Sequence, residues 1–460
     1  MPTYQQIFRW FTLGIVVFLP RLAHSGVLWV EESYPMAGAL QMLGGKLPYQ
    51  GFVYDKPPLG LFFAALGAGS PEIVSRVLGA FLILLCCIVG GRIARAWWSE
   101  AEAVWTTALL TVGLTFYLPA TVVPVAPDLL MLLPHLAAIY FARAGRPTLA
   151  GLMAGLAIWI NSKGVLVALA CGLWSPAAAV VGLALGALQL LIPGNWEQVW
   201  RWGMLYSADT FLERPLAEGL LRTFNWAGFH ATAVLGTAVY FFRENRNGPN
   251  GDRWRMAAWL LLSLAGVVAG LRFFPRYYFQ LLPVVALLGA RGLVLLPTAR
   301  RWALACLLLI PIVRFGPRYV QLAVNGDADW SDTALNRDSR AVSARIGAAA
   351  SPQDTILVWG YRPDILVYTR LPLGAPFLDS QPLTGVIADR HLVQSRPSAP
   401  EVAAANRKRL VEYRPEWLVD GLGPSNPQLA IGQFPDLREW FANYSEAFRT
   451  SATVVYRRKP

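Results

Sequence analysis

The strongest constraint on this chain is a series of apolar segments through its first 320 residues. They fall near 7–23, 72–91, 103–120, 127–142, 148–160, 164–175, 177–193, 225–242, 254–271, 277–296 and 301–316, about eleven in all. A bilayer-crossing helix needs roughly 20 apolar residues, and several of these runs are shorter. Only helices or closed barrels hide backbone polar groups in lipid. The expectation is therefore an all-α, multi-pass membrane bundle with the lipid bilayer as its first partner. Composition agrees, since 55% of the 460 residues are hydrophobic and 15% are charged.

The net charge of +12 would favour nucleic acid in a soluble protein. Here the arginines flank apolar runs, and no basic stretch with interleaved aromatics forms a nucleic-acid face. Eighteen tryptophans suit interfacial belts. Cys86, Cys87, Cys171 and Cys306 all lie in apolar runs, which excludes a disulfide framework or a CxxC metal site. Residues 7–25 resemble a signal peptide with Ala23-His24-Ser25 as a cleavage-like site, but a retained first span is favoured.

Arginine bias sets the topology. The 148–175 region reads as two short spans bent at Asn161-Ser162-Lys163-Gly164, because only then do Arg92/Arg95, Arg143/Arg146, Arg243/Arg246/Arg253/Arg255 and Arg300/Arg301 share the inner face. The outer face then receives residues 24–71, the start of the span at Asp128, Lys163, residues 194–224, and everything after about 317. Met36, Leu40 and Leu43 give 30–50 the spacing of an amphipathic helix lying on the membrane, and Trp196, Trp200, Trp202 and Leu205 make 194–224 look interfacial. Two domains are expected: a transmembrane domain over 1–317 and an extracytoplasmic α/β domain over 318–460. In the latter, 356–360, 366–370, 417–420 and 453–458 read as strands, with helices near 333–350, 400–413 and 435–445.

Chemistry-bearing residues gather on the outer side. Glu31 and Glu32 are either a solvated pair or a base that takes a proton from an acceptor hydroxyl. Asp55-Lys56-Pro57-Pro58 fixes a lysine beside a stiff turn, suited to a lipid phosphate or to snorkelling. Asp128 follows Pro127 at the start of a span, as an N-cap or as a further carboxylate of the outer vestibule. Lys163 is a topology anchor or a second cation for an anionic headgroup. Arg272, Arg276, Tyr277 and Tyr278 form an interface belt in which an arginine could grip a phosphate. His24, His135, His230 and His391 show no ligand spacing.

In this order and at these spacings, the acidic pair, the Lys-Pro-Pro, the span-opening Asp, the Ser-Lys-Gly break and the Arg-Tyr-Tyr…Leu-Pro stretch resemble the bacterial GT-C glycosyltransferases. That superfamily includes the dolichyl-phosphate-mannose protein mannosyltransferases and the lipid A aminoarabinose transferase-like enzymes. The resemblance covers about residues 1–300, and the C-terminal α/β region is similar to the outer domain of many members.

The resemblance implies a GT-C bundle in the bacterial plasma membrane and a polyprenyl-phosphate-linked sugar donor used on the extracytoplasmic face. Glu31 takes the place of the family's catalytic acid, the first of an Asp-Glu pair, with Glu32 beside it. Lys56 matches the loop cation, assisted at the donor phosphate by Lys163 and Arg276. Asp128 matches the second acidic position, and Asp55 and Tyr278 fall among further substrate contacts. In some relatives the acid before the lysine joins a metal site, so a divalent cation at Asp55 is the one cofactor the resemblance admits. A lipid flippase or a non-catalytic scaffold are the alternatives. The charges cluster at one face, which disfavours transport. The sugar and the acceptor (protein, lipid or glycan) are not readable.

Overall fold

The computed structural model describes residues 4–117, 125–205, 215–244, 252–325, 330–387 and 397–460. It divides into two compact units. One comprises Met1–Gly26, Glu72–Leu191 and Leu212–Asp327, and the other Val27–Pro71, Ile192–Phe211 and Ala328–Pro460. His391 and Arg246 lie outside the described residues.

The first unit is helical. Each apolar run of the sequence contains a helix, among them Pro71–Trp97, Glu100–Thr115, Leu132–Arg143, Pro147–Ile160, Gly164–Gly172, Pro176–Ala187, Ala231–Arg243, Arg253–Val268 and Leu282–Val294. Among the described residues, Pro71–Trp97 and Thr298–Asn325 are long and apolar enough to cross a membrane, and a third span counts only if Pro176–Leu191 and Trp196–Met204 are taken together. The rest fall short because turns interrupt them. At 1.5 Å per residue, a helix such as Pro147–Ile160 is only about 21 Å long.

The helices approach closely at small residues, as membrane helices do. A Cβ on Gly151 would lie 2.5 Å from the Val181 Cβ, and one on Gly182 2.8 Å from the Ala154 Cβ. A Cβ on Gly292 would run into the Gly236 carbonyl of the helix opposite. Large apolar side chains such as Phe81, Val180, Leu261 and Phe242 remain exposed. At the helix ends, Arg291 bonds Glu102 at 2.8 Å and Glu244 at 2.7 Å, and Asp252 takes Arg143 at 3.4 Å and Arg255 at 2.8 Å.

The second unit is built on a four-stranded sheet of β1 (Ile356–Trp359), β2 (Trp417–Asp420), β3 (Tyr444–Arg449) and β4 (Val454–Arg458), in spatial order β1-β2-β4-β3. β1 and β2 are parallel and the other pairs antiparallel. β1 is buried on both faces. Ile356 and Val358 pack with Val342, Ile346 and Leu366, while Leu357 and Trp359 pack with Leu418, Leu410 and Trp440.

Three expectations need correction here. Residues 366–370 are not a strand: Asp364–Thr369 is a helix whose Ile365, Leu366 and Val367 are buried, ended by Arg370 in the left-handed region. A short buried apolar run carries no period that separates the two states. The 435–445 helix shrinks to Arg438–Phe441, followed by β3. The helix Val30–Leu43 is not an amphipathic helix with an open face. Ten of its fourteen residues are buried, with Met36 and Ala37 in the core of this unit, and only its end, at Leu43, is strongly exposed.

Candidate functional site

In the second unit, the helix Val30–Leu43 begins after extended Trp29. The Glu32 Oε2 accepts the Trp29 N–H at 3.4 Å, the side-chain half of a capping box. Glu32 is buried and committed to the helix end. Glu31, one residue earlier, is partly exposed. Both acids sit in the first turn, where the helix dipole favours negative charge.

The loop carrying Asp55 and Lys56 is fixed through its backbone. The Tyr49 hydroxyl donates to the Lys56 carbonyl at 2.7 Å, and the Tyr34 hydroxyl accepts the Asp55 N–H at 3.3 Å. Burial, with Asp55 adding, pushes the Tyr34 hydroxyl well above its ordinary range and keeps it protonated. Tyr34 stacks on Tyr54 with ring centres 5.2 Å apart. From the helix Trp196–Leu205, Gln198 accepts the Tyr54 N–H at 2.8 Å and donates to the Tyr49 carbonyl at 2.6 Å. A Cβ on Gly203 would lie 2.6 Å from the Asp55 carbonyl, so glycine is required there. Lys56 Nζ meets Asp55 Oδ2 at 2.7 Å, and both side chains are partly exposed.

In the first unit, Asp128 stands on the short helix Pro127–Leu130. Its Oδ1 lies 3.6 Å from Lys163 Nζ and its Oδ2 3.4 Å from Arg276 Nε. Asn161 donates to Asp128 Oδ1 at 3.1 Å, while its own carbonyl oxygen accepts the Lys163 N–H at 3.1 Å. The Lys163 ammonium sits 3.1 Å from the centre of the Tyr277 ring. Asp128 and Lys163 have side chains only 10% exposed, and Arg276 21%. The chain break that places Lys163 needs Gly164, where a Cβ would strike the Ala157 and Ile158 backbone. Burial draws the Lys163 ammonium below its ordinary value, and Asp128 opposes that fall. Leu271 and Phe273, flanking Arg272, both hold positive φ, a strain that clusters at functional sites. Two cations around one carboxylate can exchange that carboxylate for an anionic group such as a phosphate.

Comparison with solved structures places the architecture. ArnT from Cupriavidus metallidurans in the apo state matches 98% of this chain and 97% of its own, with a TM-score of 0.61 at 14% identity. ArnT bound to undecaprenyl phosphate matches 99% and 98%, with a TM-score of 0.57 at 14% identity. The archaeal oligosaccharyltransferase AglB from Archaeoglobus fulgidus, in complex with an inhibitory peptide and a dolichol-phosphate, matches 99% of this chain and 75% of its own, with a TM-score of 0.53 at 10% identity. The chain shares its fold with ArnT and AglB. No protein-family model matches the sequence, and no curated protein matches it.

The expected site residues form two groups. Asp128, Lys163 and Arg276 come together, with Asn161 and Tyr277. Glu31, Glu32, Asp55 and Lys56 belong to the other unit. Tyr278 turns elsewhere: it is fully buried, its hydroxyl shares a 2.8 Å hydrogen bond with Thr223, and its ring stacks on Trp226. Asn161, which links Asp128 to Lys163, was not singled out in the sequence. Its one signal was the break between two apolar runs.

The described histidines have structural partners. His24 meets the Pro20 carbonyl at 2.9 Å, His135 the Trp259 indole at 2.9 Å, and His230 the Trp226 carbonyl at 2.9 Å. Among the described residues no three His, Cys, Asp or Glu side chains gather to hold a metal. Asp55 is engaged by Lys56. Among the described residues, the donors around Asp55 thus do not make up a divalent-ion site.

Proposed function

We propose that this protein is an integral membrane glycosyltransferase that moves a sugar from a polyprenyl-phosphate carrier to a hydroxyl acceptor on the extracytoplasmic face. The observation that carries it is the buried grouping of Lys163 and Arg276 on Asp128, a cation pair suited to a phosphate. The fold shared with ArnT and AglB, solved with undecaprenyl phosphate and dolichol-phosphate respectively, supports it. The apolar helices, with large hydrophobic side chains left exposed, support a multi-pass bundle of about eleven spans, short ones included.

The reaction is a direct displacement. A Glu31 oxygen takes the acceptor hydroxyl proton as that oxygen attacks the anomeric carbon. The bond from the anomeric carbon to the phosphate oxygen breaks, and its electron pair leaves with the polyprenyl phosphate. Lys163 and Arg276 hold that charge. Asp128 positions the two cations it contacts, and Glu32 holds the helix end that presents Glu31. Backside attack inverts the anomeric centre.

The test is mass spectrometry of polyprenyl-phosphate sugars in a strain lacking the protein and in one carrying Glu31→Gln. One sugar-lipid should accumulate in both, with transfer reduced roughly 10²–10⁴-fold by the substitution. Full transfer by a stable Glu31→Gln protein removes the base assignment.

A further inference from the structure

Within the second unit, the loop that carries Asp55 and Lys56 is gripped along one side by the helix Trp196–Leu205. That helix is wound as a π-helix, a rare winding often found at functional sites. Its Val199 shares a core with Tyr34, Tyr49 and Tyr54, and Trp200 packs against them. Two glycines bring backbone against backbone. A Cβ on Gly194 would lie 2.8 Å from the Tyr49 carbonyl oxygen, and one on Gly203 2.6 Å from that of Asp55. On its other side the loop is tied to residues 373–376. The Val53 N–H donates to the Pro376 carbonyl at 2.8 Å, and Lys46 Nζ donates to the Leu373 carbonyl at 3.1 Å.

Between the two glycines stands Gln198, which supplies an acceptor and a donor from one side chain. Its Oε1 accepts the Tyr54 N–H at 2.8 Å, and its Nε2 donates to the Tyr49 carbonyl at 2.6 Å. A backbone N–H only donates and a carbonyl only accepts, so the orientation of the amide is forced. One side chain thereby joins two backbone groups five residues apart, as a neighbouring strand would. Tyr49, so held, has φ +66°, in the left-handed region that a residue with a Cβ keeps only under restraint. Its hydroxyl donates to the Lys56 carbonyl at 2.7 Å. A chain of contacts therefore runs from the Gln198 amide through Tyr49 to the backbone of Lys56.

We propose that Gln198 is a positioning residue: acting through Tyr49 and Tyr54, it fixes where the Lys56 ammonium is presented to an anionic group of the substrate. The assignment rests on the glycosyltransferase reading, in which the sequence resemblance gives Lys56 to the donor phosphate. Gln198 acts through the backbone from which Lys56 projects, and that backbone also sets the 2.7 Å contact of Lys56 Nζ with Asp55 Oδ2.

The test uses the full chain in detergent and two readouts. One is the rate at which the Lys56 amine is acylated, followed by mass spectrometry with the exposed Lys408 as internal reference. The other is the affinity for undecaprenyl phosphate. Gln198→Ala should raise the Lys56 rate about two- to fivefold, the factor expected when a partly exposed ion pair loosens, and leave Lys408 unchanged. It should weaken lipid-phosphate binding roughly 10- to 100-fold, as misplacing a binding group does. Lys56→Met should weaken binding to a similar extent, and adding Gln198→Ala to it should weaken binding no further, because both remove one interaction. Tyr49→Phe loses only the hydroxyl that holds the Lys56 carbonyl. It should move both readouts in the same direction, and it decides the question if Gln198→Ala does not melt as a folded protein. An unchanged Lys56 rate in the folded variants, or losses that add in the double variant, overturns the positioning role. If wild type binds the lipid phosphate and Lys56→Met binds it equally well, the assignment falls while the donor reading, carried by Lys163 and Arg276, stands. Wild-type protein that does not bind undecaprenyl phosphate removes the donor reading and this assignment with it.

Discussion

Replacing Asp128 by Asn strips the counter-charge from two mostly buried cations. At an effective dielectric constant near 20, a charge pair 3.4–3.6 Å apart gains about 4–5 kcal/mol before desolvation is counted. Removing one member of a buried pair costs about 3–5 kcal/mol, because the partner is left uncompensated. Asn keeps a carbonyl oxygen that can still accept from Asn161, so the loss is electrostatic rather than a lost hydrogen bond. Asp128→Asn should therefore destabilise the ligand-free protein by about 3 kcal/mol, read by thermal unfolding in detergent. Undecaprenyl phosphate should restore more stability to the variant than it adds to wild type, since its phosphate supplies the missing negative charge. Asp128→Asn with Lys163→Met should be less destabilised than Asp128→Asn alone, because the orphaned ammonium is gone. An Asp128→Asn protein as stable as wild type, or one that gains no more from the lipid phosphate, refutes the counter-charge reasoning.

Glu32→Gln can still accept the Trp29 N–H, so turnover should stay within a few-fold of wild type, whereas Glu32→Ala should lose about 1 kcal/mol in unfolding measurements. Because burial lowers the Lys163 pKa, its ammonium is lost at a lower pH than an ordinary lysine's. Donor binding should then weaken on the alkaline side below the usual lysine range, and Lys163→Arg should move that limb upward in a pH titration of lipid-phosphate binding. Gly292→Ala drives a methyl into the Gly236 carbonyl and should cost about 1–3 kcal/mol of thermal stability.

Long-range apolar order was legible in the sequence, and so was the break at Asn161–Gly164, because lipid-like periods and arginine bias are properties of whole segments. The Asp128, Lys163 and Arg276 group was legible as an ordered set of motifs, but not as a contact. Asn161 was hidden because an amide between two apolar runs looks like an ordinary turn. β3 was hidden because Ser445, Glu446 and Ala447 are exposed and carry no apolar alternation. The burial of Val30–Leu43 could not be read locally, since Val342, Ile346 and Leu366, which join Met36 and Ala37 in one core, come some 300 residues later. Tyr278 matched a motif, yet its environment is set by Thr223 and Trp226 from another helix.

The Leu28 N–H finds its acceptor on Asn336, 308 residues downstream, and the Lys46 ammonium finds its own on the Leu373 carbonyl, 327 downstream. A ribosome adding roughly 5–20 residues per second needs about 15–60 s to cover such a gap. Throughout that interval the segment bearing Glu31 and Lys56 has emerged without the residues that will enclose it. Biogenesis is then the stage at which this protein is most exposed to proteases and chaperones, and a ribosome stall after residue 325 would leave its candidate base on an unfinished scaffold.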